Sequence, residues 1–225
     1  MEFLIALAKI MMVNIILSGD NAVVIAMASR CLPPRQQKLA ILWGSGGAIV
    51  LRILLTIIAV VLLKIPFLQF AGGILLIWIA TKLLVEDERC ENIDASDSMW
   101  AAIKTIIIAD IVMSLDNTLA IAAIAGGDYL LLGIGLALSI PLIIFGSKIL
   151  VVLMARFPVI VYAGAALIAW TAGEMLNADP KVGVHLAFLP HWLLPLAITV
   201  AIVGYGYWRQ KQRREGEAEE AESDH

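Results

Sequence analysis

Long runs of apolar residues, separated by short polar breaks, make up most of this 225-residue chain. A helix that crosses a bilayer needs about 20 predominantly apolar residues. Seven segments meet this requirement, and prolines, glycines and charged residues mark the breaks between them. The segments lie at about 2–29, 36–62, 67–85, 99–125, 128–154, 158–177 and 191–208. The pattern predicts an all-α polytopic membrane protein whose residues 1–208 form a single transmembrane domain.

Two polar motifs interrupt the first and fourth of these segments. The first reads "SGDN" at residues 18–21, and the second reads "SLDN" at residues 114–117. They lie 96 positions apart, and the same offset relates Arg52 of "LRILL" to Lys148 of "SKILV". Shared apolarity does not explain matching charged and amide residues, so the chain is predicted to contain an internal repeat.

The third segments of the two copies also match. After a contraction of four residues, "IPFLQFAGGILLIWIATKLL" (65–84) aligns with "FPVIVYAGAALIAWTAGEML" (157–176). Each repeat, about 2–85 and about 99–177, therefore holds three spans. Because three is odd, the second copy must cross the membrane in the opposite sense. Inverted repeats of this kind are typical of transporters, whose binding site lies at the repeat interface near the midplane. The seventh helix, about 191–208, lies outside the repeat.

Composition agrees with this class. The chain is 61% hydrophobic and 16% charged, whereas soluble domains are about 45–50% apolar and about 25% charged. Residues 209–225 read "RQKQRREGEAEEAESDH" and lack the apolar side chains that a folded segment buries, so we expect a disordered cytoplasmic tail. The net charge of −3 therefore says little about the membrane domain, and we expect no nucleic-acid partner.

The flanking cations predict the orientation. If the spans alternate, nearly all of the Lys and Arg residues beside the membrane fall on one face, and only Lys64 and Lys181 fall on the other. By the positive-inside rule the N-terminus lies outside and the C-terminus lies in the cytoplasm. The start, "MEFLIALAKIMMVN", reads as the first membrane helix rather than as a cleaved signal peptide.

The two cysteines, Cys31 and Cys90, have no zinc-binding or redox-motif spacing, so free thiols are expected. No sequence pattern predicts a prosthetic group or an oligomeric state.

Asp20 and Asp116 lie near the centres of their spans. An ionised Asp at this depth costs about 2.5–3.5 kcal/mol on insertion scales, which implies a partner. In one interpretation each Asp pairs with Arg52 or Lys148 and only holds the helices in register. In the other, the two carboxylates face each other across a bound cation, which removes their mutual repulsion.

The residues around the two carboxylates favour a cation. Asn21 and Asn117 offer amide oxygens, and Ser18 and Ser114 offer hydroxyls. Gly19 permits a local helix break that would free backbone carbonyls, which is tolerated at membrane depth where they line a cavity. An all-oxygen ligand set suits Mn²⁺, Mg²⁺ or Ca²⁺, while Cu(I) and Zn²⁺ prefer sulfur or imidazole.

Asp110 adds a third carboxylate, at the position that matches Asn14 in the first repeat. Asp110 and Asp116 are six residues apart, which on a straight helix points them in different directions. They converge only if the helix is broken between them. Asp110 is thus either a ligand or proton carrier, or a structural partner to a lysine.

Three further charged residues lie within or at the ends of spans. Arg52 and Lys148 either balance the negative charge when the metal leaves or extend towards the membrane surface. Glu174 lies near the end of the sixth span and is a candidate for gating or relay, against the simpler interpretation of an interfacial residue.

The paired "SGDN" and "SLDN" segments, in two inverted three-helix repeats with a seventh helix, resemble the TerC family. The resemblance covers about residues 1–208, and the compact form is similar to the YjbE-type bacterial members. It implies a bacterial inner-membrane protein, with members linked to tellurium resistance and members that export Mn²⁺. Carried over by position, it implies a metal site at Asp20, Asn21, Asp116 and Asn117, with Asp110 as a further acidic group.

Three classes of function compete. The favoured one is a Mn²⁺ exporter that works by alternating access and exchanges the metal for protons. A second is a membrane partner that delivers metal to secreted proteins or takes part in tellurium resistance. The third is an intramembrane aspartyl protease, which the Asn after each Asp disfavours. The protein is therefore not expected to be an enzyme.

Overall fold

In the computed structural model, the described residues are 7, 11–12, 19–62, 65–85, 95–125, 129–186 and 188–223. They are helical, and no strand occurs among them. The helices are α1 (Gly19–Ser29), α2 (Pro34–Leu62), α3 (Leu68–Val85), α4 (Ala95–Ala125), α5 (Tyr129–Arg156), α6 (Val159–Ala178), α7 (Val182–Leu186) and α8 (Leu193–Ser223). The all-α class is confirmed.

Four of these helices are long and apolar enough to cross a membrane, judged by length and composition. They cover Pro34–Ile58, Leu68–Val85, Gly133–Arg156 and Val159–Ala178. Each coincides with a span predicted from the sequence. The predicted first, fourth and seventh spans, about 2–29, 99–125 and 191–208, correspond to α1 with the residues before it, to α4 and to α8, and as membrane spans they stay predictions.

Prolines set several of the helix boundaries. Helix α2 begins at Pro34 and α6 directly follows Pro158. Proline suits the first turn of a helix, because the N–H groups there have no intrahelical acceptor. Pro141, by contrast, lies inside α5. Membrane helices tolerate such an interruption where neighbouring groups satisfy the freed carbonyl.

Glycines allow α2 and α4 to pack closely. A Cβ atom on Gly44 would lie 2.9 Å from the Cδ1 atom of Ile106, and one on Gly47 would lie 3.0 Å from that of Ile107. Further along both helices Arg52 contacts Asp110. Contacts therefore advance along the two helices together, so α2 and α4 run in the same direction, as alternate membrane crossing requires of the second and fourth spans.

Helices α3 and α6 pack antiparallel against each other. A Cβ atom on Gly73 would lie 2.8 Å from the backbone oxygen of Ala172 and 2.9 Å from Cγ of Leu176. Around this contact lies the main apolar core, which includes the fully buried Leu76 and Ile168. Helix α8 covers the outer side of α6.

Matching tryptophans in α3 and α6 contact matching neighbours one turn later. The Lys82 ammonium lies 5.3 Å from the centre of the Trp78 ring. At the equivalent positions of the second repeat, Trp170 Nε1 donates a hydrogen bond of 2.9 Å to Glu174 Oε1. The sequence alignment thus pairs residues that also have similar local surroundings.

Helix α8 continues to Ser223, through residues for which the sequence predicts a disordered tail. The segment has no apolar face to bury, but Ala, Glu, Lys, Arg and Gln are all good helix formers. Lys211 and Glu215 also form an exposed i,i+4 ion pair, with Nζ and Oε1 3.6 Å apart. The lack of apolar side chains to bury does not exclude a solvated helix.

Cys31 is disulfide-bonded in the structure. The expectation of a free thiol at this position is therefore wrong. Motif spacing does not detect such a bond, because a disulfide joins residues that are close in space and not in sequence. Cys90 lies outside the described residues.

Asp179, in the loop after α6, joins the starts of two helices. Its side chain accepts hydrogen bonds from the backbone N–H groups of Lys181 (2.9 Å) and Val182 (3.2 Å), at the start of α7. It also accepts one of 3.2 Å from the N–H of Phe70, in the first turn of α3. One buried carboxylate therefore caps both α3 of the first repeat and α7, which lies outside the repeats, whereas the sequence predicts only a loop at this segment.

We expect Asp179→Ala to lower the free energy of unfolding by about 1–2 kcal/mol, as loss of a helix cap does. Burial alone would raise the pKa of Asp179, but the N–H donors of Lys181, Phe70 and Val182 outweigh it and hold this pKa below its ordinary value. The stabilisation is thus fully present above the unfolded-state pKa of about 3.9 and is lost as the pH falls through the lower folded-state pKa. Thermal unfolding in detergent between neutral and acidic pH measures this.

Asp179→Asn provides the matched control. It keeps one acceptor oxygen and cannot ionise, so it should destabilise less than Asp179→Ala and should flatten the acid limb of the pH profile. An unchanged acid limb in both variants would assign the pH dependence to other groups.

Candidate metal-ion site

Asp20 and Asn21 occupy the first turn of α1, in an otherwise apolar helix. The backbone N–H of Asn21 donates a hydrogen bond of 2.8 Å to Asp20 Oδ1. Asp20 remains partly accessible, while Asn21 is 2% exposed.

The side chain of Asn21 is the most unusual polar group at this site. Its Oδ1 and Nδ2 atoms are both buried and have no hydrogen-bond partner among the described residues. Leaving a buried amide unsatisfied costs about 1–3 kcal/mol for each group, so such atoms are rare in folded proteins unless they serve a ligand. The Oδ1 atom is of the kind that binds hard cations.

Arg52 and Asp110 form a buried ion pair between α2 and α4. The guanidinium contacts Asp110 Oδ1, and the two residues are 1% and 8% exposed. Ser114 Oγ donates to the other carboxylate oxygen, Oδ2, at 3.2 Å. The Thr56 hydroxyl donates to the backbone oxygen of Arg52 at 2.7 Å. Of the alternatives for Asp110, the structure shows a partner to a basic residue, and that residue is an arginine rather than a lysine.

Asp20 interacts electrostatically with this pair. Its carboxyl lies near enough to experience both the positive charge of Arg52 and the negative charge of Asp110. Asp20 of α1 thus lies within electrostatic reach of the group that Arg52, Asp110 and Ser114 form between α2 and α4, and these four residues with Asn21 are called the polar cluster.

The second motif lies on an uninterrupted part of α4. The helix continues through Ser114, Asp116 and Asn117 to Ala125, without a break after Asp110. Of these, Ser114 is fully buried and bonded to Asp110. The side chains of Asp116 and Asn117 are outside the described part of the structure. So are Asn14, Ser18 and the predicted helix break before Gly19.

Lys148 and Glu174 have exposed side chains, in contrast to the buried Arg52. Glu174 accepts the hydrogen bond of Trp170 on its own helix, as an interfacial residue would. Because Lys148 matches Arg52 in sequence but not in burial, the two repeats contribute differently to the centre of the molecule. A gating role for either residue stays a prediction.

The pairing of Arg52 with Asp110 is not among the contacts that the sequence predicts. A signal for it was present, since both charges lie mid-span on helices that alternate crossing makes parallel. No group of three or more His, Cys, Asp and Glu side chains positioned for a metal occurs within the described ranges. The cluster offers two carboxylates, one amide and one hydroxyl there, with Asp116 on the same helix as Asp110.

Comparison with known proteins agrees with the membrane character of the chain. A sequence profile of the integral membrane protein TerC family matches residues 1–214. The uncharacterized membrane protein YjbE of Bacillus subtilis is 47% identical over 204 residues, which cover 90% of this chain and 93% of YjbE. YceF of the same organism, also an uncharacterized membrane protein, is 26% identical and covers 83% of this chain and 77% of its own length.

A more distant relative is longer than this chain. The UPF0053 protein YegH of Escherichia coli is 29% identical over 178 residues, which cover 69% of this chain and 33% of YegH. No solved structure matches. The family profile extends over the two Asp-Asn motifs and the polar cluster, and the chain therefore belongs to the TerC family of integral membrane proteins.

Proposed function

We propose that this protein transports divalent metal ions across the membrane, with Mn²⁺ export from the cytoplasm as its activity. The observation that carries the proposal is the buried Asn21 amide, unpartnered among the described residues and next to Asp20. An acidic residue and a free amide oxygen in an apolar helix, within electrostatic reach of a second carboxylate, suit a hard cation.

Charge balance supports a dication. Asp20, Asp110 and Asp116 carry three negative charges when ionised. Arg52 neutralises Asp110 through their direct contact. Two negative charges, those of Asp20 and Asp116, are then left for a bound ion, and one divalent cation cancels them. Uncancelled, facing carboxylates repel each other strongly at low dielectric.

The proposal of Mn²⁺ among the hard dications rests on thioethers and not on the oxygen donors. Carboxylate, amide and hydroxyl oxygens bind Mg²⁺, Ca²⁺ and Mn²⁺ alike. Mn²⁺ also accepts softer donors, and Met27 and Met113 lie buried in the core that α1 and α4 share. A thioether near the ion path would favour Mn²⁺ over Mg²⁺.

Helix contacts support transport by two inverted repeats. Helices α1, α2 and α3 match α4, α5 and α6, and the contact of α2 with α4 has its counterpart in that of α5 with α1. The matching glycines Gly72 of α3 and Gly164 of α6 also pack on matching helices, α4 and α1, although at positions that the sequence repeat does not pair. A pseudo-two-fold relation of this kind lets the two repeats rock around a central site.

Export requires an energy source. Moving a dication out against 100 mV, inside negative, costs about 4.6 kcal/mol, twice the figure for a single charge. Proton uptake by the emptied carboxylates would supply it through exchange. In this proposal the protein lies in the bacterial inner membrane with its C-terminus in the cytoplasm.

Purified protein in liposomes tests the proposal directly. We expect Mn²⁺ to enter or leave protein-containing vesicles at least about tenfold faster than protein-free vesicles, with Mg²⁺ and Ca²⁺ moving more slowly. An imposed pH gradient should drive Mn²⁺ against its own gradient. Passive Mn²⁺ flux that ignores the pH gradient would refute proton exchange, and flux equal to that of empty vesicles would refute transport.

A further inference from the structure

We propose that a groove between α6 and α8 binds one anionic phospholipid, with an acyl chain along the groove and the headgroup at its cationic end. The groove has a volume of about 640 Å³. Its walls include Tyr162 and Ala166 of α6 and Thr199, Val203, Gly204 and Tyr207 of α8. None of its lining residues belongs to α1, α2 or α4, which carry the residues of the proposed ion site.

The walls of the groove are suited to a hydrocarbon chain. Two of its hydroxyl groups are already engaged: Tyr162 Oη donates to Gln210 Oε1 at 2.7 Å, and Thr199 Oγ1 donates to the backbone oxygen of Pro195 at 2.8 Å. Tyr207 carries a third hydroxyl, at the end of the groove towards Lys211, and the remaining wall residues are apolar or glycine. A ligand therefore gains contact with apolar surface here and few hydrogen bonds.

The groove has the length of one leaflet. Its α8 wall extends from Thr199 to Tyr207, and eight residues of helix rise about 12 Å. Half of a hydrocarbon core about 30 Å thick is about 15 Å. Gly204 keeps the middle of the groove open, since a Cβ atom there would meet nothing within 4 Å.

Several cationic side chains lie at one end of the groove. Tyr207 and Lys211 lie one turn apart, so the helical stripe that lines the groove reaches Lys211 next. Arg209 and Lys211 are exposed, and so is Arg156, which precedes the start of α6. Exposed ion pairs such as Lys211–Glu215 are weak and exchange easily. A headgroup at this end meets positive charge, which attracts anionic lipids.

A second protein helix fits the groove less well than an acyl chain. A helix with side chains is about 10–12 Å across, so a 12 Å segment occupies roughly 900–1,300 Å³. The groove, at about 640 Å³, holds only part of such a segment, so a helix would leave much of its surface outside. A single chain-like ligand fills the space without requiring α6 and α8 to separate.

Thermal unfolding of the full-length protein in detergent, with phosphatidylglycerol or phosphatidylcholine added, tests the proposal. We expect phosphatidylglycerol to raise the unfolding temperature and phosphatidylcholine to have little effect. Gly204→Leu fills the groove and should abolish the shift. Gly146→Leu is the matched control, because a Cβ atom on this α5 glycine also meets nothing within 4 Å; it should retain the shift.

Replacing the cations tests the contribution of the lipid headgroup to binding separately from that of the acyl chain. In the variant Arg209→Gln/Lys211→Gln, half-maximal stabilisation should need roughly 5–30-fold more phosphatidylglycerol, since each cation near the surface contributes to anionic lipid binding. Equal stabilisation by both lipids, or an undiminished shift in Gly204→Leu, would overturn the proposal. A dimer in native mass spectrometry that Gly204→Leu dissolves would instead assign the groove to a second copy of this chain.

Discussion

Asp20→Asn should reduce Mn²⁺ export at least about 100-fold while leaving the protein folded in the membrane. Loss of an outer hydrogen-bond partner alone lowers metal affinity by about 10–100-fold, and loss of a charged ligand should cost no less. The physical reason is charge balance: with Asn at position 20, a bound dication keeps an uncompensated positive charge at low dielectric.

Cellular manganese content measures this effect. Cells that express the wild-type protein should accumulate less manganese than cells without it, and Asp20→Asn should remove the difference. Asp116→Asn should do the same, since the repeat places it in the equivalent motif. Glu215→Gln is the matched control, because it neutralises an exposed carboxylate on α8. Full export by Asp20→Asn at equal membrane abundance would place the ion path elsewhere.

Arg52→Ala should have the largest effect on stability, lowering the free energy of unfolding by about 3–5 kcal/mol. Removal of one partner from a buried ion pair leaves the other as an uncompensated charge. Here the remaining charge is Asp110, 8% exposed, with only the Ser114 hydroxyl among the described side chains to bond it. Arg52→Lys should be milder but not neutral, because an ammonium lacks the planar fork of the guanidinium.

The double variant Arg52→Met/Asp110→Leu is the decisive comparison. An apolar replacement of a whole buried pair is often close to neutral, so the double variant should unfold at a higher temperature than Arg52→Ala. If the losses measured in Arg52→Met and in Asp110→Leu simply add up to that of the double variant, the pair is not coupled energetically. If the double variant folds and still transports Mn²⁺, Asp110 is a structural partner; if it folds and fails, Asp110 belongs to the ion path.

Much of the fold could be predicted because apolar segments of membrane length have few alternatives. Helix α3 was expected at 67–85 and is found at Leu68–Val85, and α6 was expected at 158–177 and is found at Val159–Ala178. In a bilayer every backbone polar group must bond within its own segment, so a long apolar stretch between breakers becomes a helix. This constraint does not apply to the segment after residue 208, which is predicted to lie outside the bilayer. That segment is helical because its residues have high helix propensity, although it has few apolar side chains to bury.

The candidate site was only partly predictable. The motif residues Asp20 and Asn21 stood out because polar groups in a membrane span are costly. The role of Asp110 could not be predicted, because its spacing from Asp116 fitted both a metal ligand and a structural partner. Asp179 was overlooked altogether, since a carboxylate in a polar loop is ordinary until its three backbone donors are seen.

The sequence by itself determined the helical class, the approximate boundaries of the apolar spans and the duplication of the Asp-Asn motif. These depend on local properties: apolarity, breaker residues and self-similarity. Only the tertiary structure decided which helices meet and therefore which charges pair. In the tertiary structure Arg52 contacts Asp110, the Asn21 amide is buried without a described partner, and Asp179 caps two helices. These contacts depend on which helices pack together and on the directions in which they run. Glycines allow that packing, and they contact residues that are far from them in the sequence.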